Sequence, residues 1–419
     1  MTQQDDVQPD EKNVTAEPQD ANADADAATA EPATAEPEAA EAPEPAPAPV
    51  KKCRQWVTLR GTSMDARVGR GIVDDIAHDL KSVVGRPHAC ALLHAPDVSD
   101  DVLRTLSRGL SDQGFEVLLA ELPSGDACCD LAHADAVAAE LARMRVTSDD
   151  LVVAVGHLPE LSLATMVCHA WCGGTSLALV PCDLVSAVLA GVTPQGLAVG
   201  GTPDMLQQDG SARFEICDLD LMGLSGDDPA SRENVLLARA LMAATAMADS
   251  SKAFETLFDA TDGLVAGDLN ALTEQLTATL RSRGKVVAST SVAVRQSIAY
   301  GQSFVAALSG LVGADVPRSA MLADALRFCA RLAVASGELS LDDMFTQDEL
   351  LERLELGSVD CPVDADALYD ALRAERFLRT NRFMVEVPRA LGRVRLTNVE
   401  EATLREHVGA WCTARSQAE

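Results

Sequence analysis

Two kinds of apolar pattern alternate along the first half of the chain. Short unbroken apolar runs, rich in branched side chains, occur at "HACALLHA", "FEVLLAEL", "LVVAVG" and "SLALVPC". Such runs predict strands, and "LVVAVG" has the look of a buried one. Between them, apolar residues recur three and four apart in "IVDDIAHDLKSVV", "SDDVLRTLSRGLSDQG", "DLAHADAVAAELARM" and "LPELSLATMV", which predicts helices. The second of these has a start signal at Ser99 and a stop at Gly114. Strand and helix in turn predict right-handed crossovers and a parallel sheet, with ligands beyond the carboxyl ends of the strands. Gly156 lies at one such end and leads through His157-Leu158-Pro159-Glu160 straight into a helix. A strand, a glycine turn and a helix make the usual cradle for a phosphate or a dinucleotide.

From about residue 205 the helical period takes over. "ASRENVLLARALMAATAMADSSKAFETLF", "DLNALTEQLTATLRSR", "VRQSIAYGQSFVAALSGLV", "SAMLADALRFCARLAVASG", "TQDELLERL" and "DADALYDALRAERFL" all carry it, and "RFMVEVP" is one short strand-like piece. The predicted fold is an α/β, Rossmann-like parallel-sheet domain over 53–203, then a mostly α-helical domain over 204–419. The cleft between them is the expected ligand site.

Composition changes this picture at the N-terminus. Residues 1–50 hold thirteen of the acidic side chains and one lysine, a net of −12 of the chain's −30, leaving −18 elsewhere. With its "TAEPATAEPEAAEAPEPAPAP" repeat, the segment 1–52 reads as a disordered acidic tail that cannot bury enough apolar surface to fold. The acidic balance argues against nucleic acid as a partner. No basic-then-apolar leader and no long apolar run occur, so the expected location is the cytoplasm, without a membrane span. Aromatic residues make up only 3% of the chain, so the core must be built from Ala, Val, Leu and Met. The eleven cysteines follow no paired spacing and read as reduced thiols. In "CHAWC", helical geometry would put Cys168 and Cys172 on one face and His169 away from it, which reads as core packing rather than a zinc site.

The order of these segments resembles the 3-dehydroquinate synthase family from about residue 60 to 415. "VGRGIVDDIAHDL" resembles the family's opening strand, glycine turn and helix. "DLVVAVGHLPELSLATMVCHAWCGGTSLALVPCDLVSAV" is similar, without a gap, to its Gly-Gly-Gly-Val-x-x-Asp region through Pro-Thr-Thr-Leu-Leu. "VRQSIAYGQSFVAAL", "PRSAMLADALRFCARLAVASGELS" and "ALRAERFLRTNRFMVEVP" resemble its Gly-His-Thr helix, its His-Gly-Glu-Ala-Val helix and its late Asp-Lys-Lys segment. The resemblance implies NAD, a divalent metal (usually zinc) and a phosphate-eliminating lyase acting on a seven-carbon sugar-acid phosphate in the shikimate pathway.

The chain departs from that pattern where the chemistry lies. The family's metal ligands, one Glu and two His, fall on Arg239, Gln302 and Pro317 or Arg318, and a further His on Ala306. A guanidinium has no lone pair and would repel a dication, so no metal site is expected. At the NAD turn, Gly156 remains but His157 and Leu158 replace its neighbours, and Ser162 replaces the Asp. Cys182-Asp183 replaces Thr-Thr, Leu189 an Asp, and Thr193-Pro194-Gln195 a Gly-Gly-Lys; Asp126 keeps an acid whose partner Lys becomes Cys129. Gly156 and Asp126 are thus the cofactor-binding positions that persist, and no cofactor is expected. Lys285, Arg295 and Arg376 are the substrate-like cations, each open to the plainer reading of a surface charge. No catalytic residue is assigned. The resemblance therefore implies a divergent homologue without dehydroquinate synthase activity, acting by binding a partner protein or a small anionic ligand, and able to form the family's homodimer. The alternative is an active synthase or related cyclase with a site rebuilt from Asp126, Asp183, His157, Cys168 and Cys182.

Overall fold

The computed structural model describes residues 49–224 and 228–416, and the chain from Pro49 onward forms one compact unit. The tail expected over 1–52 lies, as far as residue 48, outside the described residues. In the α/β part the elements are β1 (Cys53–Leu59), β2 (Thr62–Gly69), α1 (Ala77–Val84), β3 (Ala89–His94), α2 (Asp100–Asp112), β4 (Glu116–Glu121), α3 (Leu131–Arg143), β5 (Leu151–Gly156), α4 (Leu158–Ala170), β6 (Ser176–Pro181), α5 (Leu184–Leu189), β7 (Gln195–Val199), β8 (Thr202–Gln208) and β9 (Phe214–Asp218). Seven of the strands form one sheet in the order β1-β2-β9-β6-β5-β3-β4. Every neighbour in it runs parallel except β1 with β2.

The period of two along the strands separates two cores. Leu92, Val153 and Val155 face α1 and α2, meeting Leu80, Leu106 and Leu110. Leu93, Val152 and Ala154 face the other way, toward Leu141 of α3, Leu161 and Leu163 of α4, and the helical part. Both faces are covered, which is why these strands read as continuous apolar runs.

The helical part comprises α6 (Pro229–Asp249), α7 (Ser251–Val265), α8 (Leu269–Val287), α9 (Val292–Gln296), α10 (Gln302–Ser309), α11 (Arg318–Ala335), α12 (Leu341–Arg353) and α13 (Ala365–Arg379), then the hairpin β10 (Val385–Ala390) and β11 (Arg393–Thr397), and α14 (Glu401–Ser416). α6 is buried continuously from Ala238 to Ala248, largely by alanines and methionines, as the shortage of aromatics requires.

Three expectations are corrected. The α/β part does not end at 203: β9 is placed inside the sheet, between β2 and β6, by residues 214–218. The long stretch from Ala230 is two helices, because Ser250 is extended (φ −165°, ψ 157°) and its Oγ accepts the N–H of Ala253 to start α7. The stretch from Val294 also breaks, because Gly301 is left-handed at φ 83°, and a Cβ there would meet Leu322 Cδ1 at 3.1 Å. No helix among the described residues is long and apolar enough to cross a membrane.

Candidate functional site

The carboxyl ends of β3, β5 and β6 meet at the start of α4. Gly156 is required there by close packing: a Cβ would meet Ala95 Cβ at 2.9 Å. Beyond it, His157 is the N-cap of α4 and Pro159 sits in the first turn, where it supplies no N–H. Glu160 is 1% exposed and turns its carboxylate back into the turn. One oxygen accepts the N–H of His157 at 3.2 Å, and the other accepts the N–H of Gly125 at 3.2 Å. Backbone donors at a helix start are what would hold a phosphate; here the chain's own carboxylate takes the N–H of the N-cap His157 and, from the segment after β4, that of Gly125. Asp126 begins the short turn Asp126–Cys128 that follows Gly125; its side chain lies outside those described.

A second carboxylate flanks the same turn. His157 donates from Nδ1 to Asp183 at 2.7 Å and from Nε2 to Asp97 at 2.9 Å. The bond to Asp183, aided by Asp97, raises His157 to about 9 against the opposing effect of burial. The ring is therefore an imidazolium at neutral pH, which fits its donating from both nitrogens. Burial works to raise the Asp183 carboxyl, but His157, Ser186 and Asn234 outweigh it and hold it below the usual range. Asp183 also caps α5 through the N–H of Ser186 at 2.8 Å. Asn234 of α6 donates to Asp183 at 2.9 Å and accepts the N–H of Leu184 at 3.0 Å, so the network ties the sheet to the helical part.

The positions that would carry a metal are equally occupied. Arg239, 8% exposed, donates to the carbonyls of Leu264 at 2.7 Å and Leu354 at 3.4 Å, where it joins the ends of α7 and α12. Gln302 opens α10; Pro317 caps α11, and Arg318 is exposed. Among the described residues no group of three His, Cys, Asp or Glu side chains could hold a metal. Burial pushes both the Cys168 and the Cys182 thiol up to about 12. Cys168 is in the core as expected. Cys172 is not: α4 stops at Ala170, and Cys172 turns outward with φ 52°.

No family model matches the chain. A 3-dehydroquinate synthase of Thermobifida fusca (strain YX) is 26% identical over 342 residues, spanning 77% of this chain and 87% of the relative. The fold matches 2-deoxy-scyllo-inosose synthase, solved with carbaglucose-6-phosphate, NAD+ and Co2+, at a TM-score of 0.71 and 12% identity over 85% of this chain and 99% of that one. The chain is 3-dehydroquinate synthase-like. A 2-epi-5-epi-valiolone synthase from Streptomyces hygroscopicus subsp. jinggangensis 5008, solved with NAD+ and Zn2+, gives the same answer for the fold, with a TM-score of 0.69 and 14% identity over 86% of this chain and 99% of that one.

In this dehydroquinate synthase-like chain the three substrate-like cations are all engaged locally. Lys285 is exposed and bonds Asp249 at 2.6 Å. Arg295 donates to the carbonyls of Ser289 at 2.7 Å and Thr290 at 3.1 Å, just past the end of α8. Arg376, partly buried, is paired with the buried Glu386 at 3.0 Å. The three lie on α8, α9 and α13 and share no partner. The cation that does face inward is Arg283, two residues before Lys285 and 2% exposed. It donates to Thr245 at 2.8 Å and to Thr193 at 3.0 Å, bonds no carboxylate among the described residues, and is pushed down to about 10 by burial. Sequence reasoning passed over it in favour of Lys285. The signal was present, because Leu276, Leu280, Arg283 and Val287 fall four, three and four apart on the apolar face of α8.

Proposed function

We propose that this chain keeps the dehydroquinate synthase-like fold without the synthase chemistry and acts by binding. The observation that carries the reading is Glu160: a buried carboxylate accepts the N-cap N–H at the start of α4 and sets a fixed negative charge against any phosphate brought to the turn. A phosphate placed at the turn would also meet Asp97 and Asp183, whose charges His157 only partly offsets. NAD does not fit these residues, nor does a dication beside the Arg239 guanidinium, so no catalytic step is routed through either group. Without hydride transfer, oxidation of the sugar ring is unavailable, and the phosphate elimination that depends on it does not start. What remains is a folded surface able to engage a partner protein, a second copy of the chain or a small anion, in the cytoplasm.

The test is phosphate release. Full-length protein, supplied with NAD, zinc and the family's seven-carbon sugar-acid phosphate, should release phosphate at the background rate of a protein-free control. Turnover above that control, abolished by a chelator, would overturn the reading.

A further inference from the structure

Charge reverses sharply at the start of the sheet. Residues 51–70 hold Lys51, Lys52, Arg54, Arg60, Arg67 and Arg70 against the single acid Asp65, a net of +5 in a chain of −30. They run through β1, its turn and β2, at the edge of the large sheet, where β1 has only β2 for a neighbour among the described residues. The cations meet acids at the surface: Lys51 bonds Glu274, Lys52 bonds Asp75, Arg60 bonds Asp209, and Arg54 and Arg67 share Asp65. Lys51, Lys52, Arg54 and Arg60 keep at least half of their side chains exposed. Such open pairs are weak, and an ammonium or guanidinium has donors left for a second anion.

An aromatic ring stands among these cations. Trp56 of β1 is 59% exposed, against 9% for Trp411, and the Arg54 guanidinium lies 5.2 Å from the centre of its ring. The Trp56 carbonyl accepts the side-chain amide of its own neighbour, Gln55, at 2.6 Å. Proteins blunt or cover the edge strands of their sheets, and this edge offers a flat indole ringed by positive charge.

The chain before Pro49 has the matching chemistry and enters at the same edge. Val50 packs against the core and the Lys51 N–H bonds Asn270 Oδ1 at 2.9 Å, which fixes the point of entry. Trp56 is one strand's length from it, about 20 Å, within reach of any residue a few positions further up the chain. Residues 31–48 carry Glu31, Glu36, Glu38, Glu41 and Glu44, no cation, and prolines at 32, 37, 43, 45 and 47. Proline-rich segments bind aromatic surfaces through their rings, without strand pairing. A tethered segment also acts at an effective concentration on the order of millimolar, so weak contacts suffice.

We propose that residues 31–48 dock on the β1–β2 edge, with prolines against Trp56 and glutamates against Lys52, Arg54 and Arg60, so that the chain's own tail covers the open edge of its sheet. The surface is apart from the strand ends and owes nothing to catalysis.

The experiment compares acrylamide quenching of tryptophan fluorescence in the full-length protein and in a variant lacking residues 2–48, which keeps the compact unit from Pro49 onward. Removing the tail should make quenching about twofold stronger. The same deletion in a Trp56→Phe background should change nothing, which assigns the difference to Trp56 rather than to Trp171 or Trp411. Changing Glu31, Glu36, Glu38, Glu41 and Glu44 to glutamine in the full-length protein should expose Trp56 as the deletion does, and so should about 1 M sodium chloride, where screening sets in within about 3 Å. Equal quenching with and without the tail, or a difference that survives Trp56→Phe, would overturn the proposal. A glutamine tail that protects as well as the native one would overturn the charge pairing. Protection that persists without the tail and fades on dilution would give the edge to a second copy of the chain and overturn it equally.

Discussion

Replacing Glu215 with glutamine is expected to stabilise the protein by on the order of 3 kcal/mol at pH 7. Glu215 is fully buried in β9, at the middle of the sheet. One oxygen accepts the N–H of Gly191 at 3.0 Å, and the other has no partner. Burial raises its carboxyl from 4.5 to about 8, so it is neutral in the folded protein at pH 7, whereas in the unfolded chain it is ionised. A carboxyl raised on folding leaves stability intact below its unfolded value and erodes it as pH climbs toward the folded one. Glutamine keeps the shape and the acceptor for Gly191 and has no proton to gain. The advantage of Glu215→Gln should therefore be near zero below pH 4.5, grow steadily, and level off above pH 8. Urea unfolding at a series of pH values reads this directly. A difference independent of pH would show that the carboxyl is not neutral in the fold.

The second large effect is at the strand ends. Asp183→Ala should cost about 3 kcal/mol. It removes the cap of α5, leaves the Asn234 amide short of an acceptor, and strips His157 of its nearer carboxylate. The loss should depend on pH in a defined way. His157 is raised to about 9, so its contribution is complete below 6.5 and fades as pH rises through 9. Asp183 is held below its usual range, so its contribution fades on acidification. The gap between wild type and Asp183→Ala is thus widest near neutral pH and narrows on both sides. Asp183→Asn keeps a capping oxygen and loses only the charge, and should fall between the two. Chemical denaturation of the three proteins at acid, neutral and alkaline pH checks the order. An Asp183→Ala variant as stable as wild type at pH 7 would mean that the network holds nothing together.

These residues also show what the sequence could and could not convey. The interior strands and most helices were legible because burial imposes a period, and β3, β5 and β6 are buried on both faces. β9 was missed for the same reason inverted: Glu215 interrupts "FEICD" with a carboxylate that only its neutral state allows in the core. β1 was missed because its outer face is polar and its pattern runs straight out of the tail. At the site, the register along "LVVAVGHLPELSLATMV" was enough to see where the chain departs from the family's pattern. It was not enough to see what the replacements do. Glu160 reaches Gly125, 35 positions away, and His157 reaches Asp183, 26 positions away, and periodicity carries no information about such pairings. Asp183 read as a departure from the family's Thr-Thr pair; in the fold it is the partner that raises His157. Lys285 read as a substrate-like cation open to the plainer reading of a surface charge, and it is exposed and paired with Asp249, while the helical spacing of α8 puts Arg283 inside.

The central claim is that the chain's own carboxylates, Glu160, Asp97 and Asp183, set the turn after β5 against the phosphates of a dinucleotide. Calorimetric titration of NAD into the full-length protein tests it most directly. The account predicts no saturable heat up to millimolar NAD, and no change in unfolding temperature at that concentration. A one-to-one isotherm with a micromolar dissociation constant would contradict it, because NAD at about a hundredfold excess would then stabilise the fold by roughly 2.7 kcal/mol.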